Sequence, residues 1–105
     1  MTEHLDVAPE ELRQAARRHR LAAEQLRAAP AGNAAITASL ESLGPVFAEF
    51  RDAGSELLEQ RRVCYEQQAA AHEDLADRLD HAALAWEQHD TDAATRLRTV
   101  TEDLR

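Results

Sequence analysis

Beyond Pro45 the chain has no further proline and one glycine, Gly54, up to Arg105. Proline removes a backbone donor and glycine costs helix entropy, so a long stretch nearly free of both can propagate one helix. The available side chains speak against strands. Ala accounts for 22 residues and Leu for 13, while Val and Ile together number five. Ala and Leu are strong helix formers, whereas strands draw on β-branched and aromatic residues. Aromatics are only 4% of the chain. The expectation is an all-α fold whose long second helix runs from Pro45 to about Leu104, with Gly54 the place for a kink.

An earlier helix opens at Pro9-Glu10-Glu11. Proline suits the first helical position, and acids in the first turn complement the helix dipole. This helix is expected to reach about Ala29. Leu5, Leu12, His19 and Leu26 recur every seven residues, and so do Ala8, Ala15, Ala22 and Ala29, which together predict a narrow apolar seam. Pro30, Gly32 and Asn33 interrupt the pattern near residues 30–33. A short helical piece from about Ala34 to Leu43 follows, and Gly44-Pro45 is a stop signal that places a turn near 43–45.

The second helix carries Phe47, Phe50, Leu57, Leu58, Cys64, Tyr65, His72, Leu75, Leu79, Ala82 and Trp86 on its apolar side. Leu58, Tyr65, His72, Leu79 and Trp86 are spaced by seven. Arg61 and Gln68 share the row of Phe47, Gly54, Leu75 and Ala82. Buried without partners they would be costly, so they are expected to reach water or meet polar groups of a partner. The implied object is one domain over 1–105, an elongated antiparallel helical hairpin, with ends at about 1–7 and 99–105 expected to be flexible. Two helices bury too little apolar surface to offset chain entropy comfortably. A partner is therefore expected: a second copy or a different helical protein, completing a four-helix bundle.

The composition narrows the function classes. A formal net charge of -8 argues against nucleic acid. The basic cluster Arg13, Arg17, Arg18 and Arg20 is followed by Glu24 and reads as a solvated helix face. No apolar run approaches the roughly 18–20 residues of a membrane span. Met1 to Glu11 carries acids and no apolar h-region, so no ordinary signal peptide is expected. Cys64 is the one cysteine and reads as a buried small residue or an inter-chain link. No glycine-rich phosphate loop or nucleophile elbow is present, and no enzyme activity is expected. Asp77 and His81, with Glu73 nearby, have a spacing that metal-binding helices use, but such pairs are common among 20 acids. His19 and His72 lie on apolar seams and read as seam residues. No metal and no cofactor are expected.

The order of these motifs carries a resemblance. The N-terminus runs Met1-Thr2-Glu3-x-Leu5-x-Val7-x-Pro9-Glu10-x-Leu12, then Ala16, His19, Ala22 and Ala23. Gly44-Pro45 precedes Phe50, and the later helix carries Leu75-Ala76, Leu79 and Ala82-Ala83. In this order and spacing, from Met1 to about Arg98, the chain resembles the EspC-like family of type VII (ESX) secretion targets. That family belongs to mycobacteria and related actinobacteria. The composition agrees, since all twelve basic residues are Arg, which with abundant Ala suggests a GC-rich genome.

The resemblance implies a distant relative of the WXG-type helical hairpins, exported to the outside or the cell surface without a cleaved signal peptide. It implies a secreted effector, a co-secreted partner or a part of the export apparatus, with a second copy or a WXG-like chain and the type VII machinery as partners. The family's export mark is Tyr-x-x-x-Asp/Glu near the end of the second helix. Tyr65 has Ala69 four residues on and does not match. The matching location holds Trp86-Glu87-Gln88-His89-Asp90, with Trp in place of Tyr. No Trp-x-Gly stands at the turn, where Gly44-Pro45 is found. An aromatic ring and a carboxylate one turn apart offer a receptor groove an apolar anchor and a charge contact. The plainer reading makes Trp86 the end of the hairpin seam and Asp90 a solvated acid. The rival function is a cytoplasmic helical adaptor or chaperone for another secreted protein.

Overall fold

The computed structural model describes residues 8–104. Helix α1 spans Pro9–Ala28, α2 spans Asn33–Glu41 and α3 spans Ala48–Asp103. Single 3₁₀ segments, Ala29–Gly32 and Pro45–Phe47, precede α2 and α3. The fold is an all-α helical hairpin with no strand among the described residues. Leu5 and the expectation for residues 1–7 lie outside the described residues. At the other end α3 runs helical to Asp103, and its residues from Leu84 on are exposed.

The turn forms as its chemistry dictates. Gly44 has φ 82° and ψ 177°, a region that residues with a Cβ scarcely enter. Its extended ψ suits a residue preceding proline. Pro45 then opens the 3₁₀ turn, where the Phe47 amide donates to the Gly44 carbonyl at 3.2 Å. The break at Pro30–Asn33 is not a loop. The 3₁₀ turn joins α1 directly to α2, and the covered positions keep their spacing through it: Leu12, Ala16, His19, Ala23, Leu26, Pro30, Asn33, Thr37 and Leu40.

The described residues fall into two compact units. One draws on the chain up to His19 and from Asp74 onward, and the other is Arg20–Glu73. In the first, Ala16 on α1 and Ala76 and Ala83 on α3 are completely buried. In the second, Ala23 and Ala69 are buried. Every fully buried hydrophobic residue among the described ones is thus an alanine, and side chains this small let helix backbones approach closely. Leu12, His19 and Leu26 on α1 and Leu58, Tyr65, His72 and Leu79 on α3 are half-buried beside them. Within the second unit α2 and α3 run antiparallel: Asn33 meets Leu58 and Arg61, while Leu40 lies against Gly54.

Two sequence expectations shift here. The close-approach row on α1 is Ala16 and Ala23; Ala15, Ala22 and Ala29 lie one position round the helix and stay half-covered. On α3 the covered row steps by four from Tyr65 to Ala69, where the heptad row would place Gln68. Such a stutter resets a heptad pattern. It moves the seam onto Ala69, Ala76 and Ala83 and leaves Gln68, Leu75 and Ala82 exposed. Gly54 does not interrupt α3; a Cβ there would come within 2.8 Å of Leu40 Cδ1, so the glycine allows a close approach.

Candidate functional site

Trp86 and Asp90 lie on α3 one turn apart, and both are exposed, Trp86 at 43%. The Trp86 ring is 6.4 Å from the His89 ring, tilted by 41°. What gives this segment its character is the spacing around it. The covered row of α3 ends with Leu79 and Ala83, yet intervals of three and four continue through Trp86, Asp90, Ala93, Leu97, Val100 and Leu104. One stripe therefore changes from covered to bare along the same helix. Leu97, Val100 and Leu104 are 68%, 58% and 83% exposed. Asp90 is the one acid in this row. Polar neighbours mask this continuation in the sequence, where the intervals themselves are the available signal.

The other predicted seam residues divide into two groups. Leu12, His19, Leu26, Leu58, Tyr65, His72 and Leu79 are half-covered by the chain's own helices. Phe47, Phe50, Leu57, Leu75 and Trp86 are exposed. The broad apolar side read from the sequence is thus two stripes, one used inside the hairpin and one bare. Cys64 is exposed rather than buried, and its Sγ accepts from Gln68 Nε2 at 3.3 Å. Arg61 finds partners on its own chain. Its Nη1 donates to Asn33 Oδ1 at 2.9 Å, its Nε donates to the Tyr65 hydroxyl at 3.3 Å, and its guanidinium lies 5.1 Å from the Tyr65 ring centre. Asn33 Nδ2 in turn donates to the Leu58 carbonyl at 3.4 Å.

Ion pairs tie each unit across its helices. Arg13 grips Glu87 with two nitrogens, beside Trp86. Its hydrogen bond to Glu87 raises the Arg13 pKa and lowers that of Glu87. In the other unit Arg27 reaches both Glu73 at 2.7 Å and Glu66 at 3.1 Å. The hydrogen bond to Glu73, then that to Glu66, raises the Arg27 pKa, and the same arginine lowers that of Glu73. Arg62 holds Glu59 below the usual carboxylate range. Arg62–Glu59 is an i, i+3 pair within α3, whereas the cross-helix pairs of Arg13 and Arg27 need a pairing register and were not foreseen.

The described residues enclose no pocket. No group of three or more His, Cys, Asp or Glu among them is poised for a metal ion. No helix of the described residues is long and apolar enough to cross a membrane. What this surface offers is helix faces with bare apolar rows and a few fixed charges.

Comparison with known proteins gives this surface a context. The family model described as "Excreted virulence factor EspC, type VII ESX diderm" matches residues 1–99. Similar curated proteins include an uncharacterised protein of Mycobacterium bovis and one from each of two Mycobacterium tuberculosis strains. Each is 47% identical over 105 residues, covering 100% of both chains. No solved structure matches.

Proposed function

The chain belongs to the EspC family of excreted type VII (ESX) factors, and on that premise we propose that it is a type VII secretion substrate or secretion-associated protein that acts by binding other helices. The observation that carries this reading is the family match over residues 1–99, which spans all of α1, most of α3 and the Trp86–Asp90 segment. The family is one of excreted factors and not of enzymes. The chain is made in the cytoplasm and delivered to the outside or the cell surface without a cleaved signal.

Trp86 and Asp90 serve as the export mark in place of Tyr-x-x-x-Asp/Glu. Supporting this, both are exposed on one face of α3 and open a bare row that ends at Leu104. A receptor groove or helix takes the Trp86 ring as an apolar anchor, and a basic or donor group opposite Asp90 sets the register. The half-covered residues Leu12, His19, Leu26, Leu58, Tyr65, His72 and Leu79 hold the hairpin, while Phe47 and Phe50 remain for a helical partner.

The test compares culture filtrate and lysate for the wild type, Trp86→Ala and Asp90→Ala in a host with an intact type VII system. The variants are expected to fall in filtrate while lysate levels and melting temperature hold. Undiminished export of both would refute the mark. A wild-type chain that stays in the lysate, bound to another secreted protein, would favour the adaptor reading.

A further inference from the structure

The region around the turn carries a second apolar surface that the hairpin does not use. All of it lies within the unit Arg20–Glu73. On α3, Phe50, Leu57 and Cys64 recur every seven residues and are exposed, Phe50 at 62% and Leu57 at 65%. At 100° per residue, they trail the covered row Gly54, Leu58, Tyr65 by about a quarter-turn. On α2, Ile36 is exposed, and so is Leu43 in the turn just beyond the helix. Ile36 trails the covered row Asn33, Thr37, Leu40 by roughly a fifth of a turn in the same rotational sense. Reversing a helix reverses the side to which that sense points. Because α2 and α3 run antiparallel, equal senses bring Ile36 to the same side as the bare row of α3. They form a single two-helix face.

The border of this face is chemically one-sided. On α3 its outer edge is Glu49 and Glu56, one turn-pair apart, and neither enters an ion pair among the described residues. The outer edge beside α2 is Ser39 on the helix and Ser42 just past its end, which carry no charge. On the inner side Arg61 is engaged by Asn33 and Tyr65. An apolar stripe with free carboxylates along its edge selects a partner stripe edged with cations, as flanking charges do in paired helices. A second copy fits poorly. It repeats the acidic edge and a net charge of -8. Many of its arginines are taken: Arg13, Arg17, Arg27, Arg62 and Arg78 by acids and Arg61 by Asn33.

We infer that this face binds a helix of a different protein whose apolar stripe is bordered by Arg or Lys. The inference deepens the helix-binding reading above and rests on it. Its test needs no secretion system, so the two fail separately: lost export with retained helix binding would strike the export reading alone.

The probes are two fluorescent helical peptides with the same Leu/Ala stripe, one edged with Arg and one with Glu, titrated with the full chain. The Arg-edged peptide is expected to bind about tenfold more tightly, a preference of the size a few exposed charge pairs can supply. Raising salt to about 1 M should shrink it, since the screening length falls to roughly 3 Å. Glu49→Gln with Glu56→Arg should remove or invert the preference while the melting temperature holds, and Phe50→Asp should abolish binding of both peptides. Equal binding of the two peptides would overturn the inference, and so would a preference untouched by the Glu49/Glu56 change. Self-association of the chain alone that Phe50→Asp abolishes would assign the face to a second copy. Sedimentation with phosphatidylglycerol vesicles that Phe50→Asp abolishes would assign it to a membrane.

Discussion

At the scale of single residues, the hairpin rests on alanines. Ala16, Ala23, Ala69, Ala76 and Ala83 are the fully buried set, and each contributes only a methyl group, at about 0.8 kcal/mol per buried carbon. The value of such a residue lies in what it excludes. Ala76→Leu should destabilise the chain by about 1–3 kcal/mol through overpacking. Leu84→Ala, at an exposed position, should stay within about 0.5 kcal/mol. Denaturant melts of the two variants decide this, and equal costs would deny the close approach. Gly44 makes a separate demand. With φ at 82° and no atom near its missing Cβ, Gly44→Ala should cost about 1–3 kcal/mol through backbone strain alone. An unchanged denaturation midpoint would show that the turn relaxes.

At the scale of elements, α3 is one helix with two apolar stripes, and ion pairs fix its pairing to α1. Glu73 and Glu87 are held below the ordinary carboxylate value of 4.5 by Arg27 and Arg13. A carboxylate with a lowered folded-state pKa contributes stability above its unfolded value, and the contribution is lost as pH falls through the folded one. Melting temperature should therefore fall as pH drops below 4.5, and should fall less in a Glu73→Gln, Glu87→Gln variant. Relief of the chain's own net negative charge acts on both proteins alike, so their difference isolates the pairs. Parallel curves would show that these exposed pairs are fully screened.

Much of this element structure was legible beforehand. Pro9, Gly44 and Pro45 marked real boundaries, and the row Leu58, Tyr65, His72, Leu79 and Trp86 stood out because large side chains repeated every seven residues, its first four members being half-buried and Trp86 exposed. The alanine row was misjudged by one position, since Ala15 and Ala16 are both apolar and periodicity does not separate adjacent candidates. The step from Gln68 to Ala69 escaped notice because a stutter changes the interval without changing composition. The bare row beyond Trp86 was hidden by its polar neighbours. Cross-helix pairs such as Arg13–Glu87 were out of reach until the turn fixed which residues face each other.

At the scale of the whole molecule, the chain has a lean alanine core, no enclosed pocket among its described residues and large apolar side chains left bare. The proposed binding of other helices would cover those side chains, and membership in an excreted type VII family gives that proposal a setting. The central claim is export. It is tested most directly by measuring the wild-type protein in culture filtrate and lysate of its own host, with and without the type VII secretion ATPase, against a cytosolic lysis control. The account predicts protein in the filtrate only when the ATPase is present. Retention in the lysate of both strains, or equal release from both, would contradict it.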